Sequence, residues 1–216
     1  MKRKETFKEG QIYHIFNKSI ANYGIFIKKE NGQQFIKRLF YYNDLFILKP
    51  FSLHLRKNPY FTCKSLISDV DFSKVKFLAY NIMPDHYHLL LKLLRNNILS
   101  KYIGDVENSY TKFFNTKYKR RGPLWQSNFK VIRIKNNEQL LHVSRYIHLN
   151  PTTKNLVKKP EDWELSSYRE FITNPKILKE IVVEISIKSP RAYKEFVENR
   201  LNFQKKLRMI KKLILE

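Results

Sequence analysis

The chain has 216 residues, 43% of them apolar, enough to enclose a core as one domain with an extension or as two small domains. Its 42 basic and 19 acidic residues give a formal net charge of +23, which points to a polyanionic partner, nucleic acid ahead of an anionic membrane surface. No apolar run approaches the length of a membrane span, Met1 to Glu5 lead into no signal-peptide core, and the single Cys63 excludes an internal disulfide and a cysteine-built zinc site, so a cytoplasmic protein is expected.

Residues 11–17, Gln11-Ile12-Tyr13-His14-Ile15-Phe16-Asn17, read as a first strand in which His14 is more simply structural than a ligand. A polar turn over 19–24 precedes a helix over 29–42, whose apolar stripe is Phe35, Ile36, Leu39 and Phe40. Lys28, Lys29, Lys37 and Arg38 fall on its polar face, which reads as solvated ahead of a DNA contact. Residues 44–74 read as an insertion: a small hairpin or helix over one edge, with His54, Arg56, Lys57, Tyr60 and Phe61 interleaving charge and rings. That stretch stacks single-stranded bases or has no part in the chemistry.

Residues 75–82 are apolar enough for a second strand. Met83-Pro84-Asp85 is a tight turn, and 86–93 return as a third strand. In Asp85-His86-Tyr87-His88-Leu89, residues two apart share a strand face, so His86 and His88 project together. Two such imidazoles are half of a metal site, or simply two hydrogen-bonded histidines. A long helix follows over 98–118. It ends in the basic turn 117–123, where Lys119, Arg120 and Arg121 with Trp125 and Gln126 suit phosphate contact and base stacking. Residues 129–134 alternate as a fourth strand carrying Lys130 and Arg133.

Asn136 and Gln139 have capping spacing for the next helix, which packs through Leu140, Val143 and Ile147 and which Pro151 is expected to stop. On it Tyr146 and Asn150 are i and i+4 and stack on one face. A phenol can attack phosphorus or carbon, and an amide oxygen can ligate a metal. His142 and His148 are the nearby candidates for a base. Trp163 is expected to pack on the core, and residues 189–216 read as one or two amphipathic basic helices. Strand, helix, hairpin, helix, strand is the order of a split βαβ, ferredoxin-like α+β fold.

Met83-Pro84-Asp85-His86-Tyr87-His88-Leu89-Leu90-Leu91 followed by Arg145-Tyr146-Ile147-His148-Leu149-Asn150-Pro151 resembles the HUH single-tyrosine transposases, the IS200-like and REP-associated tyrosine transposases in particular. The likeness runs from about residue 11 to 171, and the 120–129 stretch is similar to the family's Arg-Arg-Gly-x-Leu-Phe-Gln segment. It implies an antiparallel sheet with helices on one face, a catalytic domain over 1–151 interrupted by the 44–74 insertion, and a basic helical extension over 152–216. It also implies Tyr146 as nucleophile and His86, His88 and Asn150 as ligands to Mg2+ or Mn2+, although many relatives carry Gln where this chain has Asn150. Lys119, Arg120, Arg121, Trp125, Gln126, Lys130 and Arg133 would bind DNA.

The implied activity is single-stranded DNA cleavage and strand transfer through a 5′-phosphotyrosine at hairpin-flanked sites, by a nucleoid-associated protein. Monomer and homodimer are both compatible with the resemblance. The alternatives are a catalytically silent DNA-binding protein of this fold and a nuclease that activates water, with Asp85 as its carboxylate.

Overall fold

The computed structural model describes residues 6–47, 49–63, 66–67, 72–174, 187 and 189–200. In chain order the regular elements are β1 (Ile12–Lys18), α1 (Lys29–Asn43), α2 (Phe51–Lys57), β2 (Val75–Ile82), β3 (His86–Leu93), α3 (Leu99–Lys117), β4 (Lys130–Arg133), α4 (Asn137–Thr153), α5 (Tyr168–Thr173) and α6 (Pro190–Glu198). The four strands form one antiparallel sheet in the order β2-β3-β1-β4. This is the split βαβ arrangement expected from the sequence. Among the described residues no helix is long and apolar enough to cross a membrane.

Strand alternation divides the sheet into two chemically different faces. Tyr13, Ile15, Tyr87, Leu89 and Leu91 are all buried on one of them. There α1 and α3 lie over the sheet: Phe35 of α1 meets Tyr87 at 5.0 Å between ring centroids. Glu107 of α3 accepts hydrogen bonds from Asn17 and Tyr87, at 2.7 and 2.8 Å, and so joins β1 to β3 from behind. The opposite face carries His14, Phe16, His86 and His88, with Phe16 opposite His88 and Lys18 opposite His86 in the register. The expectation of helices on one face is correct for α1 and α3 and needs correcting for α4. That helix covers the histidine face, over β2 and β3, where Asn81 of β2 donates to the Ile147 carbonyl.

One irregularity determines what β2 presents to that face. Phe77 pairs with Leu91, but Ala79 pairs with Leu90, so β2 holds one extra residue between them. In an unbroken strand Asn81 would point with Phe77 toward α1 and α3. The extra residue reverses the alternation and sets Asn81 opposite His88.

Two other expectations change, and the insertion takes the helical of its two expected forms. Pro151 does not stop α4, which continues to Thr153 and therefore crosses the expected domain boundary at 151. A proline nitrogen cannot bond the carbonyl four residues back, but that carbonyl, Ile147's, has found Asn81 instead. Arg38 is not on a solvated face: it is buried and lies 4.9 and 4.6 Å from the centroids of the Phe51 and Phe113 rings. In the insertion, α2 brings Phe51 and His54 against Tyr41, at 4.9 and 4.8 Å, and Phe61 packs on His54 at 5.0 Å, while Tyr60 stays 92% exposed.

After α4 the chain returns along β2. Leu165 accepts from the Ile82 amide, and the Trp163 indole donates to the Ile82 carbonyl, so Trp163 packs on the core as expected. The part of the expected tail helix from 201 onward lies outside the described residues.

Candidate active site

The β2–β3 turn and α4 converge on the histidine face. α4 starts where the sequence predicts. Asn136 caps it by accepting from the Gln139 amide at 2.8 Å, and the Gln139 side chain returns to accept from the Lys135 amide at 2.8 Å. Its inward residues Leu140, Ile147 and Leu149 are buried in the core. This packing aims Tyr146 and Asn150 at the sheet. The Tyr146 ring stands edge-on over His88 at 5.4 Å and over His14 at 6.3 Å.

Each histidine is held from behind. His86 Nδ1 lies 2.6 Å from Asp85 Oδ1, and His88 Nδ1 lies 3.0 Å from His14 Nε2. With Nδ1 engaged, each ring keeps Nε2 for a ligand, the arrangement in which an outer partner fixes tautomer and orientation. Burial, reinforced by the neighbouring His14, His86 and Lys154, holds His88 well below the usual imidazole range, and burial alone lowers His14 to about 4. Both rings are neutral near pH 7, the form that ligates. Burial raises the Asp85 carboxyl, but the hydrogen bond and charge of His86, with Lys18 at 3.4 Å, outweigh it and keep the group below its ordinary value.

Tyr146 is 45% exposed as a whole, yet its hydroxyl is enclosed enough that burial raises the phenol above its usual value, with the polar side chain of Asn150 opposing that shift. Asn150 is itself buried, and its Nδ2 has no hydrogen-bond partner among the described residues. A buried amide with an unused end needs a partner. A half-turn of the amide would present its oxygen to the same space. Two imidazoles and an amide oxygen form a donor set that suits a divalent cation retaining open positions. Among the described residues no group of three or more His, Cys, Asp or Glu side chains is disposed to hold a metal, so an ion here would rely on Asn150 for its third protein ligand.

The remaining expected residues separate in space. Lys130 sits opposite Phe16 on the histidine face, and the Gln126 amide donates to the Lys18 carbonyl at 2.9 Å; both residues are exposed at the rim of the site. Arg133 pairs with Tyr13 and therefore projects from the other face. Lys119 and Arg121 are exposed in the α3–β4 turn. Arg120 instead spends its guanidinium on that turn, donating to Asn115 Oδ1 at 2.9 Å and to the Pro123 carbonyl at 2.6 Å. Trp125 requires correction as a base-stacking residue. Its indole donates to Thr111 Oγ1 at 3.1 Å, and its ring packs 5.6 to 6.2 Å from Tyr87, Phe35, Phe26 and Tyr110.

Both candidate bases already have partners. His148 is wholly buried between Tyr193 Oη and Ser167 Oγ, each at 2.8 Å, and burial lowers it to about 3. His142 is engaged with Arg145 at 2.7 Å. His14 is structural as expected, but its bond to His88 and the role of Asn81 were not apparent from the sequence. The only local signal for His14 was its two-residue spacing from Phe16.

Residues 54–150 match the family described as Transposase IS200 like, and that stretch contains His86, His88, Tyr146 and Asn150. A Haemophilus influenzae protein named as a REP-associated tyrosine transposase is 27% identical over 105 residues, covering 44% of this chain. The chain spans 60% of that relative's length. A solved structure of a REP-associated tyrosine transposase bound to a REP hairpin superposes with a TM-score of 0.55 and 14% identity, over 81% of this chain and 86% of that one. At that identity the likeness speaks for the fold alone. Residues 54–150 are thus similar to the transposase IS200-like family, the family that the chain's two motifs resemble.

Proposed function

We propose that the chain is a DNA transposase acting as a metal-dependent single-stranded DNA endonuclease and strand transferase at hairpin-flanked sites. The observation that carries this reading is the placement of Tyr146 edge-on over His88, with Asn150 one turn further along α4 and His86 beside it on β3. The names of the similar proteins, and the REP hairpin bound to the structural neighbour, support DNA hairpins as the substrate class.

In this reading Tyr146 Oη, having lost its proton, attacks the phosphorus of one phosphodiester. The new bond is Oη–P and the broken bond is P–O3′; the released 3′ oxygen takes up a proton and the 5′ phosphate stays on Tyr146. Attack by a 3′-hydroxyl on that ester reverses the step and frees the tyrosine, so rejoining needs no nucleotide energy source. His86, His88 and Asn150 would hold Mg2+ or Mn2+, which when bound offsets the charge on the nonbridging oxygens. Asp85 and His14 hold the two imidazoles in orientation through Nδ1. The exposed edge of Tyr146 faces solvent, where substrate can enter.

The test is incubation of labelled single-stranded hairpin DNA from the gene's own flanks with the protein and Mn2+ or Mg2+, followed by a denaturing gel. A covalent band that disappears in Tyr146→Phe, in His86→Ala and in chelator is expected. Cleavage that persists in Tyr146→Phe without an adduct would replace this reading with water activation. Hairpin binding with no cleavage by the wild type would leave a silent DNA-binding protein.

A further inference from the structure

Among the described residues the histidine face is only half covered by helices. α4 lies over β2 and β3, while the β1–β4 half remains open beside Tyr146. On that half Phe16 is partly exposed, Ile132 is 47% exposed, and Lys130 is exposed next to Phe16 in the strand register. Four residues align across the sheet in one row: Lys130, Phe16, His88 and Asn81. The Phe16 ring stands 5.7 Å from His88 and 5.1 Å from His14, tilted by 37° and 32° to them.

An apolar ring left open on the face of a sheet needs an explanation, because closing it with α4 would have buried more apolar surface. Here the open ring lies against His14 and His88, the same two rings that Tyr146 stands over, with a cation on one side and a polyanionic partner implied by the net charge of +23. A flat ring flanked by a lysine fits a nucleobase with its phosphate. We propose that Phe16, backed by Ile132 and flanked by Lys130, is a stacking seat for an unpaired base next to the phosphodiester that Tyr146 attacks. The seat rests on the DNA-cleavage reading and adds to it a requirement for an unpaired base at this position. A base paired in a duplex has its faces covered by its neighbours and cannot use it.

The experiment measures binding and chemistry separately. Wild type, Phe16→Ala, Phe16→Trp and Phe16→Leu are titrated by fluorescence anisotropy, in chelator, into a 5′-labelled mixed-sequence single strand and into its duplex. The same preparations are assayed for the Mn2+-dependent adduct on hairpin DNA. Stacking of one base predicts roughly tenfold or greater loss of single-strand affinity in Phe16→Ala. Phe16→Leu should lose most of the same effect, Phe16→Trp should keep wild-type affinity, and duplex affinity should be unchanged in all three. Equal single-strand affinity in Phe16→Ala and wild type overturns the seat, whatever the adduct assay gives. So does a parallel loss on single strand and duplex, which would mark general damage to the sheet. Phe16-dependent binding together with no adduct from the wild type keeps the seat and overturns the cleavage reading.

Discussion

The side-chain amide of Asn81 donates to the main-chain carbonyl of Ile147 across 2.7 Å. That carbonyl is the one Pro151 leaves without an intrahelical partner, since proline has no N–H to return four residues. One hydrogen bond therefore repairs α4 and clamps it to β2 between Tyr146 and Asn150. Asn81→Ala should destabilise the fold by about 1–3 kcal/mol, the cost of a buried acceptor left unsatisfied. In a Pro151→Ala background the main-chain N–H restored by the substitution can take the Ile147 carbonyl, so the same Asn81→Ala change should cost at least ~1 kcal/mol less. Urea midpoints of the four proteins measure this coupling. Equal costs in both backgrounds would mean that Asn81 does not serve the carbonyl Pro151 frees.

A second prediction concerns the outer partners of the histidines. Asp85 Oδ1 and His14 Nε2 touch His86 and His88 at Nδ1 and nothing further out on Nε2. Asp85→Ala and His14→Ala should therefore weaken Mn2+ binding by roughly 10- to 100-fold without removing it, as losing such partners does elsewhere. Adduct yield should recover at higher Mn2+ in both variants but not in His86→Ala. Isothermal titration with Mn2+ gives the affinity directly. Wild-type affinity in Asp85→Ala would show that the contact does not orient His86.

How much of this could be read in advance depends on distance along the chain. β2 and β3 follow the sequence residue for residue, because an apolar run, a Pro-Asp turn and a second run are all local signals. Tyr146 and Asn150 were legible for the same reason, as neighbours on one helical face. His14 was not: its contact with His88 joins residues 74 positions apart, and strand pairing at that range leaves no local trace. Asn81 was hidden by the extra residue in β2, which reverses its face without altering the composition of the strand. Pro151 misled because the rule that proline ends helices assumes that no side chain elsewhere will take up the orphaned carbonyl. Trp125 beside a run of cations looked like a DNA contact; the bonds to Thr111 and to the aromatic cluster come from α1 and α3, which the local sequence does not reveal.

The placement of Trp125 gives a third prediction. With its ring among Phe26, Phe35, Tyr87 and Tyr110 and its N–H bonded to Thr111, it contributes to the core. Trp125→Ala should cost about 3–5 kcal/mol. Trp125→Phe, which keeps a ring and loses the N–H, should cost about 1–3 kcal/mol. Single-strand affinity of the folded Phe variant should match wild type, the reverse of the expectation for Phe16→Ala. A loss of affinity in Trp125→Phe with stability intact would return Trp125 to the DNA surface.

The last prediction is a pH dependence of stability set by His148. The ring is wholly buried, accepts and donates between Tyr193 and Ser167, and is lowered by burial from 6.5 to about 3. Between those two values the unfolded chain binds a proton at this position that the folded chain refuses, so stability rises with pH across the window. His148 then contributes fully above about pH 6.5, and its contribution is lost as pH falls, by at most ~1.4 kcal/mol per unit and about 2 kcal/mol in all by pH 5. His14 and His88, also lowered, add to the slope in the same direction. The part belonging to His148 is isolated by comparing wild type with His148→Gln, which keeps a polar side chain and cannot titrate. Urea unfolding at pH 7, 6 and 5 should show the variant less stable at pH 7 and falling more slowly than wild type as the solution is acidified. Parallel curves for the two proteins would mean that His148 takes its proton in the folded state as readily as in the unfolded chain, and that the Tyr193–Ser167 clamp does not hold it neutral.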